Sequence, residues 1–371
     1  MEELGVALLG TGFAGRAHAA AIWGARRIGE VLPRPVAVYS RSPARGREFA
    51  ERFGFEKAYD SWRDAVSAPG VDVVINALPN PWHLKPTVEA AKRGRHVLVE
   101  KPLGRSLEEA LEAYRALRGS GVTVGVGFNH RWLPAVQEML RLAAAGFLGE
   151  KVYFRGAFLE DWAWSPEMPY AWRFDPEEAG YGVVGDNGSH VVELALELMG
   201  RIRRVTAAAR TVIGERPGPR GPVRVGNEDL AAALLEFEDG TLGVLESARV
   251  LPGRGNYMEV EVYGRLGALL FNLERPDELL VADYRAPEEE RGLERRRVLE
   301  RSHPGMRGFW AKHSFGWHSS FAVQLARFLE AVVRGVEYRP GLAEGVAVNA
   351  VLDAVAESAR SGGWVGVEYP L

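Results

Sequence analysis

Gly10-Thr11-Gly12-Phe13-Ala14-Gly15 constrains the fold of this chain more than any other stretch. It follows directly on the apolar run LGVALLG (4 to 10) and opens a helical pattern, so it reads as the turn from a first strand into a first helix. In that position each glycine has a mechanical reason: a tight turn, close backbone approach to a pyrophosphate, and tight helix-strand packing. The helix N-terminus behind it offers backbone N–H donors and positive potential to an anion. The alternative at this point is a plain glycine-rich turn.

Four further apolar runs, PVAVYS (35 to 40), VDVVINAL (71 to 78), HVLVE (96 to 100) and VTVGVGF (122 to 128), alternate with amphipathic stretches. Nearly continuous apolar strands separated by helical segments indicate a parallel sheet covered on both faces. Residues 1–128 are therefore expected to form a doubly wound Rossmann domain. Beyond them the runs lengthen and partly alternate, and FEDGTLG (237 to 243) has Asp-Gly between two strand-like segments, a hairpin signal. Residues 129–371 are expected to form an α+β domain with a large, mainly antiparallel sheet, serving substrate binding and association. PEEERGLERRR (287 to 297) reads as a solvated loop or edge, and SSFAVQLARFLEAVV (319 to 333) and GLAEGVAVNAVLDAVAESAR (341 to 360) as closing helices. The fold class is α/β.

A chain of 371 residues exceeds what one core usually holds, which agrees with two domains. A net charge of -3 offers no basic footprint for nucleic acid, and no apolar run approaches the roughly 18 residues of a membrane span. The first residues lack a basic stretch, so a cytoplasmic location is expected. Without cysteine, disulfides, thiolate nucleophiles and sulfur-ligated zinc are excluded; no metal site is expected.

The second strand ends in Ser40-Arg41-Ser42, without the carboxylate that binds the ribose hydroxyl of NAD. A guanidinium suits a 2′-phosphate, so NADP is favoured over NAD. The alternative leaves Arg41 and Arg45 solvated, with NAD bound lacking the acidic contact. Leu78, Pro79 and Asn80 follow the fourth strand, and Glu100 and Lys101 the fifth. Both segments lie at the carboxyl edge of the sheet, where open α/β sheets bind ligands. Lys101 is one of only six lysines against forty arginines. An ammonium can lose its proton on burial, whereas a guanidinium cannot, which gives a reason for lysine there.

Asp186 and His190, in GYGVVGDNGSH (180 to 190), stand four apart before the apolar stripe Val191, Leu194, Ala195 and Leu198. A carboxylate beside an imidazole orients it and raises its basicity, as acid-base catalysis requires. The bland alternative has Asp186 capping the helix and His190 packing. Together with Lys101 the pair suits hydride transfer at a carbinol, which needs a proton acceptor and a cation for the developing alkoxide.

With the glycine turn, EKP at 100 to 102, GFNHRW (127 to 132), WRFD (172 to 175) and GDNGSH in this order, the chain resembles the Gfo/Idh/MocA oxidoreductases over nearly its whole length. The resemblance implies Lys101 as catalytic lysine, His190 as general acid-base, and Asp186 as its partner and a substrate contact. It implies Trp172, Arg173 and Asn129 near the nicotinamide, and sugars or cyclic polyols as substrates. Trp162, Trp164, His313 and Trp317 resemble residues lining the sugar pocket in one branch, though aromatic residues under a sheet are often core. His18, His83 and His130 are expected to serve structure or line the cofactor cleft.

The expected activity is an NAD(P)-dependent sugar or polyol dehydrogenase. Two other readings remain open: a glycosidase acting by transient oxidation of its substrate with tightly held NAD, and a non-catalytic dinucleotide sensor. An exposed sheet face predicts a homodimer or homotetramer.

Overall fold

The computed structural model describes residues 2–371. The chain begins with strands β1 (Glu3–Leu9), β2 (Leu32–Tyr39), β3 (Lys57–Tyr59), β4 (Val73–Asn76), β5 (His96–Val99) and β6 (Val124–Val126). Helices α1 (Phe13–Ile28), α2 (Pro43–Phe53), α3 (Trp62–Val66), α4 (Leu84–Lys92) and α5 (Leu107–Leu117) connect them. The six strands form one parallel sheet in the order β3-β2-β1-β4-β5-β6. Strand order reverses between β1 and β4, so the crevice beyond Leu9 and Asn76 is the switch point of a doubly wound sheet.

The glycines of the first turn divide the work as their surroundings dictate. Gly10 has φ +108°, and a Cβ there would lie 2.6 Å from the Ala77 carbonyl oxygen. At Gly15 a Cβ would come within 2.1 Å of the Gly10 carbonyl oxygen, so only glycine lets α1 pack so closely on its own entry turn. A Cβ on Gly12 would meet nothing within 4 Å. Its side is open, as the approach of a ligand requires.

Two compact units emerge. The first contains the residues through Trp132 together with Arg307–Trp310 and Gly316–Val346; the second contains Leu133–Met306, Ala311–Phe315 and Ala347–Leu371. The helical pattern at 319–333 thus returns to the Rossmann unit as the helix Trp317–Arg334 and packs along α1. Gly24 makes this possible, since a Cβ there would sit 2.7 Å from that of Ala322. Leu325, Phe328 and Leu329 join Val6, Leu8, Ile22, Val38, Ile75 and Leu98 in one core.

The second unit holds helix α6 (Pro134–Ala144), strand β7 (Lys151–Leu159), the short α7 (Pro176–Ala179) and α8 (Ser189–Met199). Strands β8 (Ile202–Arg210), β9 (Glu215–Gly218), β10 (Gly221–Arg224), β11 (Leu230–Phe237), β12 (Leu242–Ala248), β13 (Tyr257–Gly264), β14 (Gly267–Asn272), β15 (Glu278–Asp283) and β16 (Glu294–Arg297) follow. Helix α9 is the Trp317–Arg334 segment of the first unit; α10 (Leu342–Ser361) and β17 (Val365–Gly366) end the chain. Nine strands form a sheet in the order β16-β15-β14-β13-β7-β12-β11-β8-β17, antiparallel except where β12 runs parallel to β7. Strands β11 and β12 are the Asp-Gly hairpin, with Gly240 at φ +86°. The arginine-rich segment supplies β16, an exposed edge whose charges oppose strand addition. Helix α8 lies tightly on β7, because Gly156 leaves room for Val191 where a Cβ would come within 2.2 Å of the valine Cγ1.

Among the described residues, no helix is long and apolar enough to cross a membrane.

Candidate functional site

In the first unit the nucleotide-binding features meet at the switch point. Helix α1 starts at Gly12 without a side-chain cap and without an acidic residue in its first turn, so its N–H donors are left to a ligand. Thr11 is buried and its Oγ1 donates to Ser40 Oγ at 3.2 Å; Arg45 Nη2 donates to the Thr11 carbonyl at 3.2 Å. Ser40 therefore braces the turn, while Arg41 lies exposed one residue further on. Phe13 is 62% exposed and Ala14 half-buried. The open side of Gly12 and the uncapped helix fit the pyrophosphate of a dinucleotide.

The loop after β4 owes its shape to Asn76, which sequence reasoning passed over. Its buried amide donates to the carbonyls of Trp82 at 2.9 Å and His83 at 3.1 Å and to Thr87 Oγ1 at 3.1 Å. This folds Leu78, Pro79 and Asn80 over the strand end. His83 is buried, with Nδ1 2.8 Å from the Pro102 carbonyl oxygen and Nε2 2.9 Å from that of Leu78. Both ring nitrogens face the protein, so His83 ties the loop after β4 to the loop after β5 rather than offering a nitrogen to a ligand. Burial holds its pKa below the ordinary imidazole value, with the two carbonyls and the Glu100 charge acting the other way.

Lys101 is half-buried just beyond β5. Behind it, Glu100 Oε1 lies 2.7 Å from His18 Nε2, and Glu100 Oε2 accepts the Lys101 backbone N–H at 3.2 Å. Burial pushes the Glu100 pKa up, but the His18 hydrogen bond and the charges of His18, Lys101 and His83 prevail and hold it below the carboxylate range. His130 is buried nearby, its Nε2 accepting the Trp317 indole N–H at 3.0 Å. Burial first, and then the Lys101 ammonium, push His130 down to about 3, so it stands neutral, as an acceptor must. Asn129 is also buried, its amide donating to Ser320 Oγ at 2.9 Å.

Trp317 stands at the start of α9 beside the glycine turn, its ring 5.7 Å from that of Phe13 and 5.0 Å from that of Phe321. It belongs to the first unit, whereas His313 lies in the second, exposed, with Nδ1 2.9 Å from the Ala311 carbonyl oxygen. These two proposed sugar contacts thus come from different units.

In the second unit, Asp186 and His190 flank the start of α8. The helix is preceded by a π-helical turn, Val184–Gly188, an irregularity frequent at functional sites. Asp186 is half-buried and His190 buried. The turn is fixed from both sides: Glu228 accepts the Val184 N–H at 3.1 Å, and Asn187 donates to Glu160 Oε2 at 3.0 Å and the Ala248 carbonyl at 3.2 Å. Burial raises the Glu228 pKa. Arg173 Nε lies 3.4 Å from Asp186 Oδ2, and its guanidinium covers the Trp172 ring at 4.4 Å. Trp162 packs against Phe174 with 5.9 Å between rings, and Trp164 is exposed. Neither Glu228 nor Asn187 carries a sequence signal apart from its neighbourhood. Among the described residues no group of three or more His, Asp or Glu is arranged to hold a metal.

The open glycine turn at the switch point of a doubly wound sheet defines a dinucleotide-binding fold. Residues 4–128 match the oxidoreductase family with NAD-binding Rossmann fold, and residues 136–270 match the GFO/IDH/MocA C-terminal domain. The chain belongs to the Gfo/Idh/MocA oxidoreductase family.

Among its relatives is the levoglucosan dehydrogenase of Pseudarthrobacter phenanthrenivorans, 34% identical over 99% of each chain. The D-xylose 1-dehydrogenase (NADP(+)) 2 of Haloferax volcanii is 28% identical over 90% of this chain and 91% of its own. A solved levoglucosan dehydrogenase in complex with NADH and levoglucosan superposes with a TM-score of 0.96 at 33% identity, covering 99% of this chain and all of the other.

Proposed function

We propose that this protein is a dehydrogenase that oxidises a carbinol of a sugar, anhydrosugar or cyclic polyol with a nicotinamide dinucleotide. The observation that carries the reading is the environment of Lys101: a half-buried lysine at the carboxyl edge of the sheet, its backbone held by the Glu100 carboxylate and its neighbour His130 kept neutral. A lysine at this edge stands where open α/β sheets bind ligands.

Gly10, Thr11, Gly12 and the first turn of α1 would hold the pyrophosphate, and the loop Leu78–Asn80 the adjoining ribose and nicotinamide side. When bound, the nicotinamide supplies a hydride acceptor at its C4. Lys101 polarises the substrate oxygen, His190 takes the hydroxyl proton as the C=O bond forms, and Asp186 stabilises the resulting imidazolium. Arg173 bears on the same Asp186 carboxylate and fixes its orientation. The absence of a carboxylate at Ser40, with Arg41 exposed beside it, supports NADP over NAD. The relative bound to NADH and the relative named for NADP keep both cofactors in the test.

One face of the nine-stranded sheet carries Arg155 between Glu246, Glu259 and Glu261, at 3.2, 2.7 and 2.9 Å, bordered by Leu234 and Leu242 at 51% and 54% exposure. Paired charges with exposed leucines suit association into a dimer or tetramer.

The decisive assay offers levoglucosan, D-xylose and a set of cyclic polyols with NAD and with NADP, followed at the nicotinamide absorbance band. Net reduction of cofactor with one of them is expected. Release of a leaving group at constant absorbance would indicate the transient-oxidation glycosidase, and no turnover with any would indicate a sensor.

A further inference from the structure

We propose that Asn227, Asp229 and Arg249 form a buried frame that aims Arg173 at Asp186, and so are positioning residues for the reaction. The inference rests on the reading of Asp186 and His190 as the acid-base pair.

Arg173 sits in a single helical turn, Trp172–Phe174, between an extended Ala171 and the Asp175 that caps α7. So short a turn cannot by itself direct a long, flexible side chain. Its backbone, however, is held twice: the Arg173 carbonyl accepts Asn227 Nδ2 at 2.8 Å and Arg249 Nη1 at 3.1 Å. The two donors are themselves joined, Arg249 Nη2 donating to Asn227 Oδ1 at 2.9 Å. Arg249 Nε donates to Asp229 Oδ1 at 2.8 Å, and Asp229 Oδ2 accepts the backbone N–H groups of Val212 at 2.9 Å and Ile213 at 3.0 Å. Each side-chain polar atom of the frame thereby has a partner, in a chain of bonds that runs from Asp229, just before β11, to the carbonyl of Arg173.

The frame is more than a stabiliser. Arg249 and Asp229 have side chains 1% and 0% exposed. A fully buried ion pair is a poor way to stabilise a fold, because its desolvation cost consumes the attraction and apolar residues of like volume serve as well. It does fix direction, since the planar guanidinium presents its donors in a rigid fork. The Arg249 guanidinium also lies against the ring of Phe174, the residue after Arg173, at 4.9 Å and against that of Trp162, which packs on Phe174, at 5.8 Å. What leaves the frame is the Arg173 side chain, with Nε 3.4 Å from Asp186 Oδ2.

A double-mutant cycle tests this in the full-length enzyme, using the panel sugar with the highest turnover. Asn227→Ala is expected to lower kcat/KM about tenfold in the natural background, yet change it by less than about twofold when Arg173→Ala is already present. Arg249→Lys keeps the charge opposite Asp229 but loses the fork, and should give the same non-additive pattern if Asn227→Ala fails to fold. Nucleotide affinity, read by thermal shift, should be unchanged in Asn227→Ala and Arg249→Lys. An equal loss in both backgrounds would mean a merely structural role and overturn the inference. Full activity of Arg173→Ala alongside an inactive Lys101→Ala would also overturn it while sparing the dehydrogenase reading; full activity of both would remove that reading itself.

Discussion

His18 Nε2 lies 2.7 Å from Glu100 Oε1, so an imidazole on the first helix is bonded to the residue just before the proposed catalytic lysine. The pair joins the helix that begins at the nucleotide turn to the backbone that carries the ammonium. Glu100→Gln keeps the shape but loses the charge, and His18 and the Lys101 N–H then face a weaker acceptor. Steady-state kinetics should show kcat reduced by about five- to tenfold, the value of a charge-assisted hydrogen bond set against a neutral one. Unchanged kcat would detach the pair from the chemistry.

The glycines make opposite predictions within one turn. Gly12→Ala should fold with a normal melting temperature, because its Cβ meets no protein atom, but lose nucleotide-dependent thermal stabilisation. Gly15→Ala must move the Gly10 carbonyl, 2.1 Å from the new Cβ, and should destabilise the fold by about 1–3 kcal/mol. Equal behaviour of the two variants would contradict the division of roles.

His130 ties stability to pH. Its folded pKa, about 3, lies below its ordinary 6.5, so its stabilising contribution is complete above pH 6.5 and is lost as pH falls toward 3. Across that window the unfolded state carries one more proton, a slope of about 1.4 kcal/mol per pH unit. In His130→Gln the side-chain oxygen still accepts the Trp317 N–H without titrating. Denaturant titrations between pH 6.5 and 4.5 should show the slope reduced by about one proton, and an unreduced slope would count against a neutral buried His130.

Cofactor choice is tested at Arg41. Loss of a guanidinium-phosphate hydrogen bond, worth about 1.5–3 kcal/mol, should raise the KM for NADP roughly ten- to a hundredfold in Arg41→Ala and leave that for NAD unchanged. Parallel changes for both cofactors would remove the reason for preferring NADP.

Much of this architecture was legible in the chain. Strands β4, β5 and β6 fall within three of the five apolar runs and β1 and β2 overlap the other two, starting at Glu3 and Leu32, because burial on both faces leaves few polar positions to confuse the pattern. The Asp-Gly hairpin and the helix after GDNGSH were legible for similar reasons. The return of α9 to the first unit was not, since an amphipathic helix does not announce which core it covers; only the fit of Gly24 against Ala322 decides it. The contacts of Trp317 with Phe13 and His130 were likewise not legible, because they arise only where α9 returns to the first unit. Asn227, Asp229 and Arg249 escaped notice because each is an ordinary polar residue at a strand end, with meaning only in three dimensions. An arginine within the otherwise small and apolar SARV (247 to 250) was the one available signal.

Lys101 and His190 carry the proposed chemistry. Lys101→Ala and His190→Ala should each reduce turnover of the best sugar by at least about a thousandfold, an ammonium or proton acceptor acting in the transition state being worth that much. Both should retain the thermal stabilisation that NAD or NADP confers on the natural protein. Full cofactor reduction by either variant would contradict the proposed chemistry.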